Sequence, residues 1–536
     1  MLVQQFGRWL WHIMGGSATQ IFCSLLIFVS VALVTYLLYN HFMRYNLPPG
    51  PWGLPFCGYI PFIKGHIYLH FSELAKKYGK IFSLYIGSEF TVVISDHLII
   101  RDAFRREEFT DRPHNDFMNI IDGYGVINTD GALWKDQRRF LHDNLKKFGM
   151  NFNNSKNMES KITHEVEILL KRLIMRRGAP TNLTSSLAVS ISNVICSISM
   201  GIRFFHGDPK FERFMNLINE GFRLFGKVTL ANHIPILRHC PWINSIKYKI
   251  EKNRSEMAEY FQEVINKRKT TYDKKNMNDI LDTYLFEIQK AKEENREDQL
   301  FEGKDNFRQM QQILADLFSA GMETVKNTLE WLMIFMLHYP EVAKTVQDEL
   351  DQVVGRSRLP SLEDRQFLPI TEATILEVLR RANLVPLGTT HATTRDVKLN
   401  DYMIPAGTTV LPLLYAVHMD PELWDEPEVF RPSRFLSADG KLSQPHFFMP
   451  FGVGRRRCLG EVLARMEIFL YFSSLMHMFN LSLPEGAPLP SLEGNVGVTV
   501  APKYFEVCLL QRDLLLADCE NNEIYVNGPL RNIGSH

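Results

Sequence analysis

The chain begins with one long apolar run and then settles into shorter periods. Ile21 to Tyr39 reads IFCSLLIFVSVALVTYLLY, without a charge or a proline. A helix over those residues reaches roughly 28 Å, enough to cross a hydrocarbon core. The pattern predicts a short tail over 1–20 and a transmembrane anchor over 21–39. No small-x-small cleavage site follows the run, which argues against a removed signal peptide. Arg8 is the only arginine before it, which argues against an organellar leader. Arg8 and Arg44, one on each side, leave the orientation open.

A proline-rich stretch, Leu47-Pro48-Pro49-Gly50-Pro51-Trp52-Gly53-Leu54-Pro55, follows. Prolines fix φ and bar a continuing helix, so 40–55 reads as a stiff hinge. From 56 to 511 the pattern is that of a single, mostly helical α+β body. Phe82–Ile86 and Thr91–Ile94 look like paired strands across a glycine turn. Helical periodicity covers 157–173, 253–291 and 305–338. Gly494 to Val500 suggests a late hairpin, and the charge-rich 290–304 reads as a solvated helix end and loop. Leu230 to Ile246 is apolar but broken by Pro235 and Pro241, so it is not a long helix. With Trp242 it suits either a bilayer interface or a packed loop. Residues 512–536 carry no readable motif.

Composition narrows the function. The 536 residues are 45% hydrophobic and have zero formal net charge, so no basic excess points to nucleic acid. The seven cysteines are scattered, with no Cys-x-x-Cys pair, which excludes a disulfide framework or zinc site and fits a reducing compartment.

One cysteine stands apart. Phe451-Gly452-Val453-Gly454-Arg455-Arg456-Arg457-Cys458-Leu459-Gly460 runs into the helix-like Val462–Met466. Glycines let backbone approach a flat group closely, and a helix mouth with nearby arginines favours thiolate over thiol. A thiolate there suits an axial position on haem iron. Phe-x-x-Gly-x-Arg-x-Cys-x-Gly resembles the haem-binding signature of the cytochrome P450 superfamily without a mismatch. The resemblance implies the superfamily's fold, with haem b (iron protoporphyrin IX) between a long helix and this loop, and Cys458 as metal ligand.

Other segments extend the likeness. Leu317-Phe318-Ser319-Ala320-Gly321-Met322-Glu323-Thr324 resembles the superfamily's oxygen groove. Ala320 and Gly321 leave space beside the helix, the Thr324 hydroxyl is able to bond an i−4 carbonyl, and Glu323 is expected to feed a proton relay. Glu377-x-x-Arg380 with Arg434 matches a structural ion cluster, although serine (Ser433) stands where relatives often have glutamate. Trp134-x-x-x-Arg138 places two side chains on one helix face, as contact with one haem propionate requires. Arg112, His391 and Arg456 match further propionate-binding positions, and Phe451 belongs to the haem loop.

Lys135, Arg139, His142 and Lys146 recur at i, i+4, i+7 and i+11 and share a face. With Arg455 and Arg457 they form a candidate dock for an acidic, NADPH-dependent flavoprotein reductase, or else a plain solvated face. Microsomal members of the superfamily sit in the endoplasmic reticulum membrane by one N-terminal anchor, with the body in the cytosol. In that topology the sequons at Asn153, Asn182, Asn253 and Asn480 carry no glycan. Phe117, Met118, Ile121, Phe318, Val385 and Leu387 are candidate walls of an apolar pocket. Residues 134–143, Phe148-Gly149-Met150, 348–356 and Gly494–Gly497 resemble the insect ecdysteroid 26-hydroxylases. The implied reaction is NADPH- and O2-dependent hydroxylation of a steroid at C26 and onward to the acid, inactivating a hormone such as 20-hydroxyecdysone. The alternatives are an ecdysteroid-precursor 25-hydroxylase, a xenobiotic monooxygenase, a haem-thiolate isomerase or dehydratase, and a non-catalytic haem protein. The last two fit poorly with the retained Glu323 and Thr324.

Overall fold

The computed structural model describes residues 22–31, 34–35, 46–114, 123–152, 155–234, 237 and 239–512. Residues 22–31 and 34–35 are helical and mostly exposed, and the rest of the 21–39 run lies outside the described residues. Among the described residues no helix is long and apolar enough to cross a membrane. The expected tail at 1–20, all but Arg512 of the expected tail at 512–536, and the expected pocket-wall residues Phe117, Met118 and Ile121 also lie outside them.

Helix α1 (Ile67–Tyr78) leads into strands β1 (Ile81–Ile86) and β2 (Glu89–Ile94), which pair antiparallel as the alternation predicts. Helix α2 (His97–Arg105) begins where Asp96 accepts from the amides of Leu98 and Ile99, satisfying two orphan donors of its first turn. There follow α3 (Gly131–Lys147), α4 (Lys156–Met175), α5 (Thr184–Ser199), α6 (Pro209–His233), α7 (Pro241–Thr271) and α8 (Ile280–Glu293). The periodic stretch 253–291 is thus two helices, because 272–279 carries the polar run DKKNMND, which has nothing to bury. The apolar 230–246 segment breaks between α6 and α7, and α7 starts at Pro241, where the missing amide costs nothing.

Helix α9 (Asn306–His338) is the axis of the molecule. It is capped by Asp305, which accepts from the Arg308 amide, and Pro340 follows its end. Around it pack α5, α7, α10 (Pro340–Val353), α11 (Pro369–Ala382) and, later in the chain, α13 (Glu461–Met478). A buried all-round apolar second half, Leu329 to Met336, makes this possible. Between α11 and α13 lie β3 (His391–Ala392), β4 (Val397–Leu399), β5 (Tyr402–Ile404), β6 (Thr409–Pro412) and the short α12 (Leu414–His418). Strand order β1-β2-β6-β3 joins the two ends of the chain in one sheet, with β2 and β6 parallel. The chain closes with β7 (Phe479–Ser482), β8 (Asn495–Val496), β9 (Val500–Ala501) and β10 (Cys508–Gln511), β8 and β9 forming the expected late hairpin.

Candidate cofactor site

Cys458 lies just before α13, and its position is set by backbone. Its amide donates to the Phe451 carbonyl at 3.0 Å, closing the loop on itself. Gly454, at φ 77°, is one place where only glycine fits, since a Cβ would meet the Phe104 carbonyl oxygen at 2.0 Å. That contact seats the loop on α2. The Cys458 side chain has exposed surface. Protein nonetheless surrounds it closely enough that desolvation pushes the thiol pKa up. A thiol that is both accessible and closely surrounded by protein lies in a recess of the surface. The Gly460 amide, Arg138 and Arg457 act the other way but do not win. The expectation that the helix mouth and arginines alone favour thiolate is therefore corrected: burial outweighs them until a cation binds the sulfur.

The expected oxygen groove lies on α9. Ala320 is exposed in the middle of that mostly buried or half-buried helix, and Thr324 is half-buried one turn on. The Thr324 hydroxyl donates to the Ala320 carbonyl at 2.8 Å, the i−4 bond expected from the sequence. Gly321 instead faces Ile195 of α5, whose Cδ1 would lie 2.5 Å from an added Cβ. Its role here is close helix packing, and the open space belongs to Ala320. Glu323 is held by Lys326 at 2.8 Å and by the Asn327 amide at 3.0 Å, and Asn327 in turn donates to Thr499 at 3.0 Å. Phe318, expected as a pocket wall, is buried with its ring 4.8 Å from that of Phe214, whereas Val385 and Leu387 are half-buried.

Around the cysteine loop the chain gathers cations. Arg456 donates from Nε to the Thr110 carbonyl at 2.8 Å and from Nη2 to the Thr129 carbonyl, and its guanidinium lies 3.9 Å over the Trp134 ring. Arg112 donates from Nε to the Ile127 carbonyl at 3.0 Å and from Nη1 to the Thr390 carbonyl. Arg138, one turn after Trp134 on α3, donates to the Arg457 carbonyl. His391 stacks on Phe104 at 3.9 Å and bonds the Thr389 carbonyl through Nδ1 at 2.8 Å, leaving Nε2 buried without a partner among the described residues. The Arg456 Nη1 atom is likewise buried and unpartnered. Among the described residues none of the three arginines has a carboxylate within ion-pair distance. Burial, then Arg112, pushes the Arg456 pKa down to about 8, and burial, then Arg138, brings Arg112 down to about 10. Guanidinium groups do not shed protons near neutrality, so this cluster calls for an anion. Five of the sequence-predicted residues (Arg112, Trp134, Arg138, His391 and Arg456) converge here, and the free Arg456 Nη1 donor and the gathered positive charge fit the carboxylates of haem, to which His391 Nε2 would donate only once protonated.

Two further sets of residues hold this arrangement, one missed by sequence reading. Asp316 of α9 accepts from the amides of Val126 at 2.8 Å and Ile127 at 3.1 Å, and Gln309 from that of Gly125 at 3.0 Å. Together they pin the segment that carries the Ile127 and Thr129 carbonyls. A carboxylate and an amide inside an apolar helical stripe were the available signal. The expected ion cluster is present: Glu377 and Arg380, both fully buried, pair at 2.7 and 2.8 Å. Arg434 adds a third contact at 3.0 Å, and the replacement of glutamate by Ser433 leaves it intact.

On the outer face Lys135 pairs with Glu107, Arg139 approaches Asp136 at 3.6 Å and His142 approaches Asp143 at 3.2 Å. Lys135 and Arg455 both hold the Glu107 carboxyl below its usual range, Lys135 the more strongly, so the helix face and the cysteine loop do adjoin.

A mostly helical body that presents an open cysteine and an arginine cradle along one central helix defines a haem-thiolate protein. The chain belongs to the cytochrome P450 family, whose model matches residues 48–509. It is similar to Cytochrome P450 18a1 of Drosophila melanogaster, 53% identical over 486 residues that cover 90% of each chain. Cytochrome P450 2J5 of Mus musculus is 34% identical over 90% of this chain and 95% of that one. Cytochrome P450 2U1 of Homo sapiens is 32% identical over 87% and 90% respectively. The chain is accordingly a haem-thiolate monooxygenase, of a family that holds haem on a cysteine thiolate and draws electrons from NADPH through a reductase.

Proposed function

We propose that this monooxygenase hydroxylates ecdysteroids such as 20-hydroxyecdysone at C26 and carries the product on to the acid, inactivating the hormone. The observation that carries the haem-thiolate part of the reading is the open thiol of Cys458 beside three arginines that, among the described residues, have no carboxylate within ion-pair distance. In this reading Cys458 would hold the haem iron through its sulfur, the Gly460 amide supports that sulfur, and Phe451 holds the loop closed. Arg112, Arg138, Arg456, Trp134 and His391 hold the haem carboxylates. When bound, haem supplies the redox chemistry that activates dioxygen. Ala320 keeps the helix wall clear, the Thr324 hydroxyl, its own hydrogen given to the Ala320 carbonyl, offers a lone pair on which a proton-carrying water would be held, and Glu323, fixed by Lys326 and Asn327, would replenish that proton.

The steroid assignment is supported by the segments 134–143, 148–150, 348–356 and 494–497, which resemble the ecdysteroid 26-hydroxylases, and by the high identity to an insect P450. The precursor 25-hydroxylase differs by one carbon and is the second reading. We place the protein in the endoplasmic reticulum membrane with a cytosolic body. Two sequons support this, since Asn253 is buried against Glu220 at 2.9 Å and Asn182 donates to the Phe505 carbonyl at 2.9 Å. The reductase is assigned to the face of Lys135, Arg139 and Arg455.

The deciding test incubates membranes carrying this protein and its reductase with 20-hydroxyecdysone and NADPH. One oxygen gained at C26, followed by the acid, is the expected result. No steroid product from a preparation with an intact ferrous–CO haem-thiolate band would overturn the substrate assignment.

A further inference from the structure

We propose that His418 is a positioning residue that fastens the cysteine loop to the Glu377–Arg380–Arg434 cluster through its Nε2 atom. The proposal rests on the reading of Cys458 as haem ligand. His418 ends the short helix α12 and is fully buried. Its two polar ends face opposite ways along one path. Its carbonyl accepts from Arg380 Nη1 at 2.9 Å, while its ring Nε2 accepts from the Met449 amide at 3.1 Å. Met449 belongs to the segment that enters the cysteine loop. Its carbonyl accepts from the Gly452 amide at 3.0 Å, and the next bond in line is the Cys458 amide to the Phe451 carbonyl at 3.0 Å. From the ion cluster to the thiol, every step is thus a hydrogen bond or one or two residues of backbone.

An amide donates only to a lone pair, so Nε2 carries no proton and the ring proton sits on Nδ1. Nδ1 is buried and has no partner among the described residues. The ring also stays neutral, because burial and then Arg380 push its pKa down to about 3. The acceptor is therefore available throughout the physiological range. Arg380 itself is fixed by Glu377, by the Pro427 carbonyl at 2.8 Å and by the ring of Trp424 at 5.1 Å. Phe448 lies 5.5 Å from the His418 ring and 4.9 Å from Phe435, which closes apolar packing around the bond. A side chain that merely fills this space needs no nitrogen at Nε2. A side chain that positions the loop needs an acceptor at that one place.

The two ring nitrogens make the distinction testable. Glutamine places its oxygen near Nε2 and asparagine near Nδ1, while leucine fills space with neither. The full-length protein is purified as wild type, His418→Gln, His418→Asn and His418→Leu. Haem per protein, the fraction of ferrous–CO complex showing the thiolate band and the reduction potential are measured. His418→Gln is expected to keep the thiolate fraction within about twofold of wild type, whereas Asn and Leu lose it at least fivefold. Wild-type behaviour in His418→Leu, or equal rescue by Asn and Gln, would overturn the proposal, as would failure of Gln to exceed Asn. Absence of the thiolate band in wild type itself would instead strike the reading of Cys458.

Discussion

Arg456 shows how a single residue states what the site binds. Its guanidinium is buried, stacked on Trp134 and bonded to two carbonyls, yet among the described residues one nitrogen is left unpaired and no carboxylate lies within ion-pair distance, Asp130 and Asp111 acting on its charge only from farther off. Without an anion this residue is a cost, and with haem it supplies charge-assisted bonds worth about 1.5–3 kcal/mol. Arg456→Leu is accordingly expected to speed haem dissociation by roughly 10–100-fold, while the haem-free protein melts no lower than wild type. Transfer of haem to an acceptor globin, beside a melt of the haem-free chain, reads both, and an unchanged off-rate would sink the assignment. Most of this site was legible because its cues are local. The cysteine signature spans ten residues, and Trp134 and Arg138 stand one turn apart on one helix. What was illegible depends on distant partners. Asp316 is 190 residues from the amide that it accepts from, and His418 lies 31 residues from its own. The thiol's raised pKa escaped for the same reason, since the atoms that desolvate it come from elements remote in sequence.

At the scale of elements, the sequence announced apolar faces better than it announced where helices stop. Helix α9 was predicted over 305–338 and forms over Asn306–His338, because an aspartate caps it and a proline follows it. The 253–291 stretch has no proline at its break, only the polar run 273–279 with Asp279 capping α8, and helical periodicity read through that run missed the split into α7 and α8. Helix α13 goes further, being buried on nearly every side, so it has no polar face to absorb a charge. Glu467 nevertheless lies within it, 1% exposed, with Oε1 unpartnered among the described residues and burial holding its pKa well above the usual carboxylate range. A carboxyl whose pKa is raised on folding contributes stability that is fully present below its unfolded value and is lost as pH rises through the folded one. Glu467→Gln keeps the shape and cannot ionise. It should match wild type near pH 4.5 and exceed it by on the order of 1–3 kcal/mol at pH 8. Melting curves from pH 5 to 8.5 provide the check, and an offset that does not change with pH would refute the account.

The whole molecule has an apolar side that neither the fold nor the cofactor site explains. Trp52, Leu54, Phe56 and Phe62 are exposed in the hinge and the turn after it. Gly58 bridges to Ile86 at the end of β1, which sets that segment beside the β1–β2 turn. The same turn touches the end of α6, where the Ser88 amide donates to the His233 carbonyl at 2.8 Å and Glu89 pairs with His233 at 2.9 Å. Exposed Trp242 follows shortly after, at the start of α7. The hinge aromatics therefore flank that turn, Trp242 follows nine residues after its contact at His233, and exposed aromatic, proline-rich segments of that kind suit the headgroup region of a bilayer. The body should then hold a membrane without help from the N-terminal run. A protein lacking residues 1–45 is expected to bind liposomes reversibly, with a blue shift of tryptophan emission. Combined Phe56→Ser and Trp242→Ser changes should weaken that binding at least tenfold and leave the ferrous–CO band untouched. If the truncated protein stayed wholly in the supernatant, the apolar side would have to serve a protein partner, and attachment would fall to residues 1–45 alone.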